Sequence, residues 1–506
     1  MLDLTQFDVI FSSAVPFGDG AYIQGQMRSA FKRRLKDIGA VLPVALDLLH
    51  SLSQADPQIE YRVLGDPVVR AAIQQALGSV VTTDPMVLSL EQCEEILGET
   101  VCHIETGAVR CPLESGTSDR YSLGSESHTP FIYDGGPCNT VFERTFRQLV
   151  ESEYGESLCT PTPEDIEILQ KATRLLDELS PLLSRSALSH VHLIGIFPGK
   201  GKWEKVASSS QFRLTGAFFL NRTTFKNPWW LAEHILHESL HQKLYDFRHA
   251  HSLLARDDPR QADLPAEAQR VISLWNTPGL SASNSWDPHR SFAAFHVYVH
   301  LAYFCALAEE RAPGLERAYG RLNVPPSMTD SSKAFARARY LGEKLQSACW
   351  PELGLAGQKM VDWLFSILNA IDPIPAPVGS YLHLIMDRYL MEAAKIQQKL
   401  PSAALEKLLE PIIQNEIASI RSVLSALKQE AEASEFSAGL SQYLEPAQEM
   451  AFAKVRGFIT ETLMRSAPNG FSLKLPSRTG ATFPDEMIRE MVETSSHELA
   501  RIGAIA

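Results

Sequence analysis

The sequence predicts an α+β fold in which helices predominate, and three observations carry that prediction. Two short apolar runs, residues 190–197 (HVHLIGIF) and 211–220 (QFRLTGAFFL), have the length and composition of strands. Asn227 to Phe247 reads as a single buried helix that contains His237-Glu238-Ser239-Leu240-His241. The flanks on both sides carry leucine and alanine at helical spacing with charged outer faces, the pattern of packed helices.

Taken in order, residues 28–97 are mostly helical, with Pro57 and Pro67 as punctuation. The basic cluster Lys32, Arg33, Arg34 and Lys36 within Arg28 to Lys36 is expected to be a solvated helix face. A long loop rich in Gly, Ser and Asp follows from Cys111 to Asn139, closed by Gly135-Gly136-Pro137. Helices resume near Val141 and again from Pro163 to Leu183. In the second apolar run, Phe212, Leu214, Phe218 and Leu220 are expected on one face of a strand. Asn227 suits an N-cap and Pro228 the first helical position, so the helix start is encoded locally. A second apolar helix begins near Ser291 (SFAAFHVYVHLAYFCALAEE). Beyond Ala312 long helices continue, with a Pro-rich break from Asp372 to Gly379 and bundle periodicity from Pro401 to Glu432. The expected organisation is a helical region over 1–185, a metal-binding catalytic core over 186–312 and a helical region over 313–506.

Composition narrows the function. With 45% hydrophobic and 21% charged residues in 506, the chain is an ordinary globular protein of two or three domains. A net charge of −13 argues against nucleic acid or an anionic membrane surface as partner, because both require a basic face. No basic region precedes the apolar residues of the amino terminus and no stretch is expected to cross a bilayer, so a cytoplasmic location is expected. The seven cysteines are scattered without a C-x-x-C pair, which suits reduced thiols and provides no thiolate zinc site.

The HExxH segment carries the chemistry. Residues four apart share one helix face, so His237 and His241 can converge on one metal while Glu238 stays within reach of an attacking water or a substrate. Two histidines do not complete such a site. The metzincin extension is absent, since Leu244 and Phe247 stand where Gly and His would be. Eight of the fifteen histidines fall within 234–251 and 289–300, which favours a shared site. His296 is the first choice for a third ligand, followed by His300 and then by Glu309 or Glu310. His234 is expected beside the ligands rather than among them. A strand directly before such a helix is the arrangement of zincin-like cores, where a strand edge can pair with an extended peptide.

The helix, together with Trp286-Asp287-Pro288-His289-Arg290-Ser291-Phe292 and the following His296 and Tyr298, resembles the HExxH-motif peptide-modification proteins encoded beside ribosomally made, post-translationally modified peptides. Asp66-Pro67-Val68-Val69-Arg70 is similar to their amino-terminal region, and the resemblance spans Asp66 to Ala308. Where such proteins often carry a further histidine, this chain has Phe292. The resemblance implies a zincin-like core in a helical body, a precursor peptide as substrate and, as in some members, Fe(II) and 2-oxoglutarate as cofactors of a hydroxylase. Arg290 would then hold the distal carboxylate of 2-oxoglutarate. The HExxH motif by itself favours the alternative, a zinc metallopeptidase with Glu238 as general base.

Overall fold

A computed structural model describes residues 4–81, 87–107, 121–123, 130–135, 140–201, 203, 206–257, 270–276, 284–323, 329–372, 382–400, 402–427 and 484–505. Among the described residues helix outweighs strand 74% to 6%, so the fold is α+β and mostly helical. The chain divides into two units: Met1–Pro265 with Ala293–Asn323 and Trp350–Ile367, and Ala266–Phe292 with Val324–Cys349 and Leu368–Ala506.

The first unit begins with α1 (Thr5–Ser13), α2 (Gly20–Ile38), α3 (Val44–Gln54), α4 (Pro57–Gly65), α5 (Pro67–Val81) and α6 (Leu90–Thr106). Then come α7 (Val141–Tyr154), α8 (Pro163–Leu179), α9 (Pro181–Leu188) and α10 (Pro228–Ala250). A five-stranded sheet is built from β1 (Tyr121–Ser122), β2 (Phe131–Ile132), β3 (Leu193–Phe197), β4 (Ser208–Ser209) and β5 (Ala217–Asn221), in the order β1-β2-β3-β5-β4. The central β2, β3 and β5 are parallel, whereas β1 and β4 lie antiparallel at the edges. Leu193, Phe197, Ala217 and Phe219 join the core formed by α2, α3, α5, α6 and α7. Their strand neighbours Ile194, Ile196, Phe218 and Leu220 are equally buried on the opposite face, which explains why these strands read as continuous apolar runs.

The second unit contains β6 (Val271–Ile272) paired with β7 (Ser285–Trp286), the first turn of α11 (Pro288–Tyr319), α12 (Ser331–Gln346), the end of α13 (Leu355–Ile371), α14 (Leu382–Gln397), α15 (Ala403–Leu427) and α16 (Pro484–Ile505). Here α16 packs on both α14 and α15, as their amphipathic spacing requires.

Several sequence expectations are corrected. Phe212 to Leu214 form a 3-10 turn instead of strand, and Leu214 sides with Phe219 rather than with Phe218. The break lies at Gly216, whose φ of +91° and whose approach to the Gly65 carbonyl exclude a side chain. The other strand starts at Leu193, three residues later than expected. Of the expected loop 111–139, the described residues 121–123 and 130–135 add two strands to the sheet. The basic cluster on α2 is only partly solvated: Arg28 and Lys32 pair with Glu60, and Arg34 turns inward to donate to Nδ1 and the carbonyl of His249. Contrary to expectation, α11 is long and apolar enough to cross a membrane by length and composition. Yet 83% of its most apolar window is buried within the protein, the condition of a core helix. Of the expected break at 372–379 only Asp372 is described, and residues 401 and 428–432 of the expected helical segment 401–432 lie outside the described residues.

Candidate metal centre

Helix α10 starts as the sequence encodes: Asn227 Oδ1 accepts from Trp229 N at 2.8 Å, and Pro228 occupies the first turn. The helix is moored to the sheet by Gln242, whose side chain accepts from Gly216 N and donates to the Ala217 carbonyl, each at 2.8 Å. These contacts set the rotation of α10 about its axis. On the face so defined, the His237 and His241 rings lie 5.0 Å apart, centroid to centroid, at 66° to each other. His237 keeps 27% of its side-chain surface exposed, so an approach to this pair is open.

Glu238 is 3% exposed and is held by two serines that sequence reasoning did not single out. Ser208 Oγ donates to Oε1 and Ser210 Oγ donates to Oε2, both at 2.6 Å. Glu233, one turn before His237, is also buried; its Oε2 lies 3.1 Å from His234 Nδ1 and its Oε1 3.7 Å from His237 Nδ1. Burial opposes protonation of His237, but Glu233 and Glu238 outweigh it and raise its pKa above the ordinary histidine value. His234 and His237 thus share Glu233 as a partner. The i, i+4 spacing of Glu233 and His237 was the available signal for this contact.

His296 and His300 lie within the first unit on α11, both 1% exposed, with ring centroids 4.5 Å apart. His300 Nδ1 is 2.7 Å from the His296 carbonyl, whereas His296 Nδ1 is buried with no hydrogen-bond partner. Burial first, then His300, Lys243 and His241, hold the His296 pKa well below the ordinary value, and burial takes that of His300 to about 3. Both rings are therefore neutral at pH 7, the protonation state that a metal ligand needs. Glu309 and Glu310 are exposed farther along the helix. On α10, Lys243 Nζ reaches the Phe11 carbonyl at 3.2 Å and Ser186 Oγ at 2.9 Å, and burial pushes its pKa down to about 7.

The donor chemistry fits a metal at two positions, His237 and His241, which offer half-buried imidazoles on one helix face. A third position is not assembled: among the described residues no group of three or more His, Cys, Asp or Glu side chains stands close enough to hold an ion.

The other resembling segments form helix starts. Asp287 Oδ1 accepts from Arg290 N at 2.8 Å at the beginning of α11, and the exposed Arg290 guanidinium lies 4.8 Å from the centre of the Trp286 ring, all within the second unit. Asp66 Oδ1 accepts from Val68 N and Val69 N and so caps α5. Arg70 is buried, donating to Asp246 on α10 and to the Leu64 carbonyl. His190 Nδ1 lies 2.7 Å from the other oxygen of Asp246.

Comparison with family models and with curated proteins finds no match for this chain.

Proposed function

We propose that this protein is a metal-dependent peptide-modifying enzyme of ribosomal peptide natural product maturation, with a zincin-like core, that hydroxylates a side chain of a precursor peptide using Fe(II) and 2-oxoglutarate. The observation that carries the reading is the pairing of His237 and His241 on one face of α10, with the buried Glu238 next to His237 in sequence and held by Ser208 of edge strand β4. The strand directly before the helix, β5, is paired on both sides, so the edge that could receive an extended peptide belongs to β4. Both oxygens of Glu238 accept hydroxyl protons, which suits a carboxylate that orients a ligand or substrate. Neutral His296 is the proposed third ligand, and its unpartnered Nδ1 supports that role, but it would have to move closer to His237 and His241 to complete a site. When bound, Fe(II) with 2-oxoglutarate would supply the chemistry: one atom of dioxygen enters a substrate C–H bond and the other enters succinate as carbon dioxide leaves. The resemblance assigns to Arg290 the cation for the distal carboxylate.

A zinc metallopeptidase is the second reading, favoured by the position of Glu238 beside the imidazole pair, where it could take the proton of an attacking water. Metal analysis of anaerobically purified protein, with an assay for succinate formed from 2-oxoglutarate, separates the two. Iron with succinate formation supports the first. Zinc, together with peptide cleavage that needs no 2-oxoglutarate, replaces it with the second.

A further inference from the structure

Helix α10 carries three buried carboxylates: Glu233 faces His234 and His237, and the fold treats the other two, Asp246 and Glu238, differently. Asp246 is matched by cationic or hydrogen-bonding partners of the usual structural kind, the Arg70 guanidinium at 2.8 Å and His190 at 2.7 Å. Glu238 forms no ion pair with a lysine or arginine among the described residues; its two oxygens receive one serine hydroxyl each. A buried carboxylate whose hydrogen bonds come from hydroxyls is costlier than one paired with a guanidinium, so hydroxyls are a poor choice if stability is their purpose. They are a good choice for fixing a carboxylate while leaving its charge available.

The geometry has that character. The helix places only the Glu238 Cα, and three side-chain torsions separate it from the carboxylate. Donors on two different oxygens define the plane of the group as one donor cannot. Both come from a single short stretch: β4 ends at Ser209, Ser208 pairs with Leu220 and Ser209 with Phe219 of β5, and residues two apart project to the same side of an extended chain. Ser208 and Ser210 therefore both face α10, while β4 itself is held by its backbone ladder to β5. Ser208 Oγ also lies 3.4 Å from His234 Nδ1, whose closer partner is Glu233, so the acceptor side of the hydroxyl faces a donor as its proton goes to Glu238.

We infer that Ser208 and Ser210 are positioning residues: from edge strand β4 and the residue that follows it, they set the plane of the Glu238 carboxylate on the helix that bears His237 and His241. This inference rests on the proposed reading of that pair as metal ligands, but the clamp can be tested without it. In the full chain labelled with 13C-carboxyl glutamate, the difference infrared spectrum between wild type and Glu238→Gln isolates the carboxylate stretches of Glu238. Ser208→Ala and Ser210→Ala should each shift those bands, and the double variant should shift them further. Ser208→Thr and Ser210→Thr, which keep a hydroxyl, should restore the wild-type spectrum. The alanine variants should also lower the unfolding midpoint much less than Arg70→Ala does, and should take up Zn(II) at the wild-type stoichiometry. Unchanged bands in the alanine variants, threonine variants that shift as alanine does, or a loss of midpoint equal to that of Arg70→Ala would each overturn the inference. If the wild-type chain takes up no Zn(II), the metal reading falls, and the infrared bands still decide whether the clamp exists.

Discussion

Arg70 of α5 and Asp246 of α10 form a buried ion pair, Nη1 to Oδ1 2.8 Å, with each side chain 1% exposed. The pair joins residues 176 positions apart and ties the helix bearing the candidate ligands to the amino-terminal helices. Burial pushes the Asp246 carboxyl up, but Arg70 and His190 outweigh it and hold it below the ordinary range, so the pair is ionised in the fold. Removing one partner leaves the other charge buried and unmatched. Arg70→Ala or Asp246→Ala should therefore each cost about 3–5 kcal/mol in denaturant unfolding. Arg70→Met combined with Asp246→Leu should cost less than either single change. A loss below about 1 kcal/mol for both single variants would show that the pair is not formed.

Metal uptake should depend on His237 and His241. Alanine at either position should abolish stoichiometric iron or zinc binding, read by elemental analysis, with the helical circular dichroism retained. His296→Ala should lower occupancy more than His300→Ala, because the His300 ring is committed to the His296 carbonyl while His296 Nδ1 has no partner. The reverse ranking would transfer the third position to His300.

The two catalytic readings predict opposite sensitivities. Under the oxygenase reading, Arg290→Ala should raise the 2-oxoglutarate concentration needed for succinate formation, and the product peptide should be heavier by one oxygen with its backbone intact. Under the peptidase reading, Glu238→Gln should abolish cleavage and Arg290→Ala should spare it. Mass spectrometry of the peptide after reaction with each variant decides between them.

Stability should fall as the solution is acidified below pH 6.5. His190 and His249 are buried and their pKa values are lowered in the fold, His249 well below 6.5 by burial and then by Arg34, Arg70 and Arg248. In the unfolded chain both titrate near the ordinary value of 6.5. Below that pH the unfolded state binds protons that the folded state refuses, so unfolding becomes easier by at most about 1.4 kcal/mol per pH unit for each group, until the folded-state value of that group is reached. Above the ordinary value both are neutral in either state and their contribution is flat. His249→Gln should make the acid limb of a stability against pH curve shallower; an unchanged slope would mean that His249 is protonated in the fold.

Gly216→Ala should destabilise the first unit by about 1–3 kcal/mol. The backbone there has a φ of +91°, and an added Cβ would collide with the Gly65 carbonyl oxygen. A melting temperature equal to that of wild type would show that the α4 end and the β5 start do not meet in this way.

The sequence by itself determined the features whose physics is local. The Asn227 cap, Pro228 in the first turn and the four-residue spacing of His237 and His241 place a helix and two imidazoles on one face without reference to the rest of the chain. The helical period likewise makes α2, α8 and α14 legible. What depends on distant partners was not legible. Ser208 and Ser210 look like ordinary turn residues until β4 pairs with β5 and brings their hydroxyls to Glu238. Arg70 looks like a surface arginine until α5 packs near α10 and buries it against Asp246. The strand expected at 211–220 was broken by Gly216, because a left-handed backbone conformation and a close approach to Gly65 are properties of the packed chain. Periodicity records which side of an element is buried, but the identity of the partner across the core is set only when the elements meet. For that reason the helix of the candidate site could be read in advance, and the hydrogen bonds that orient its carboxylates could not.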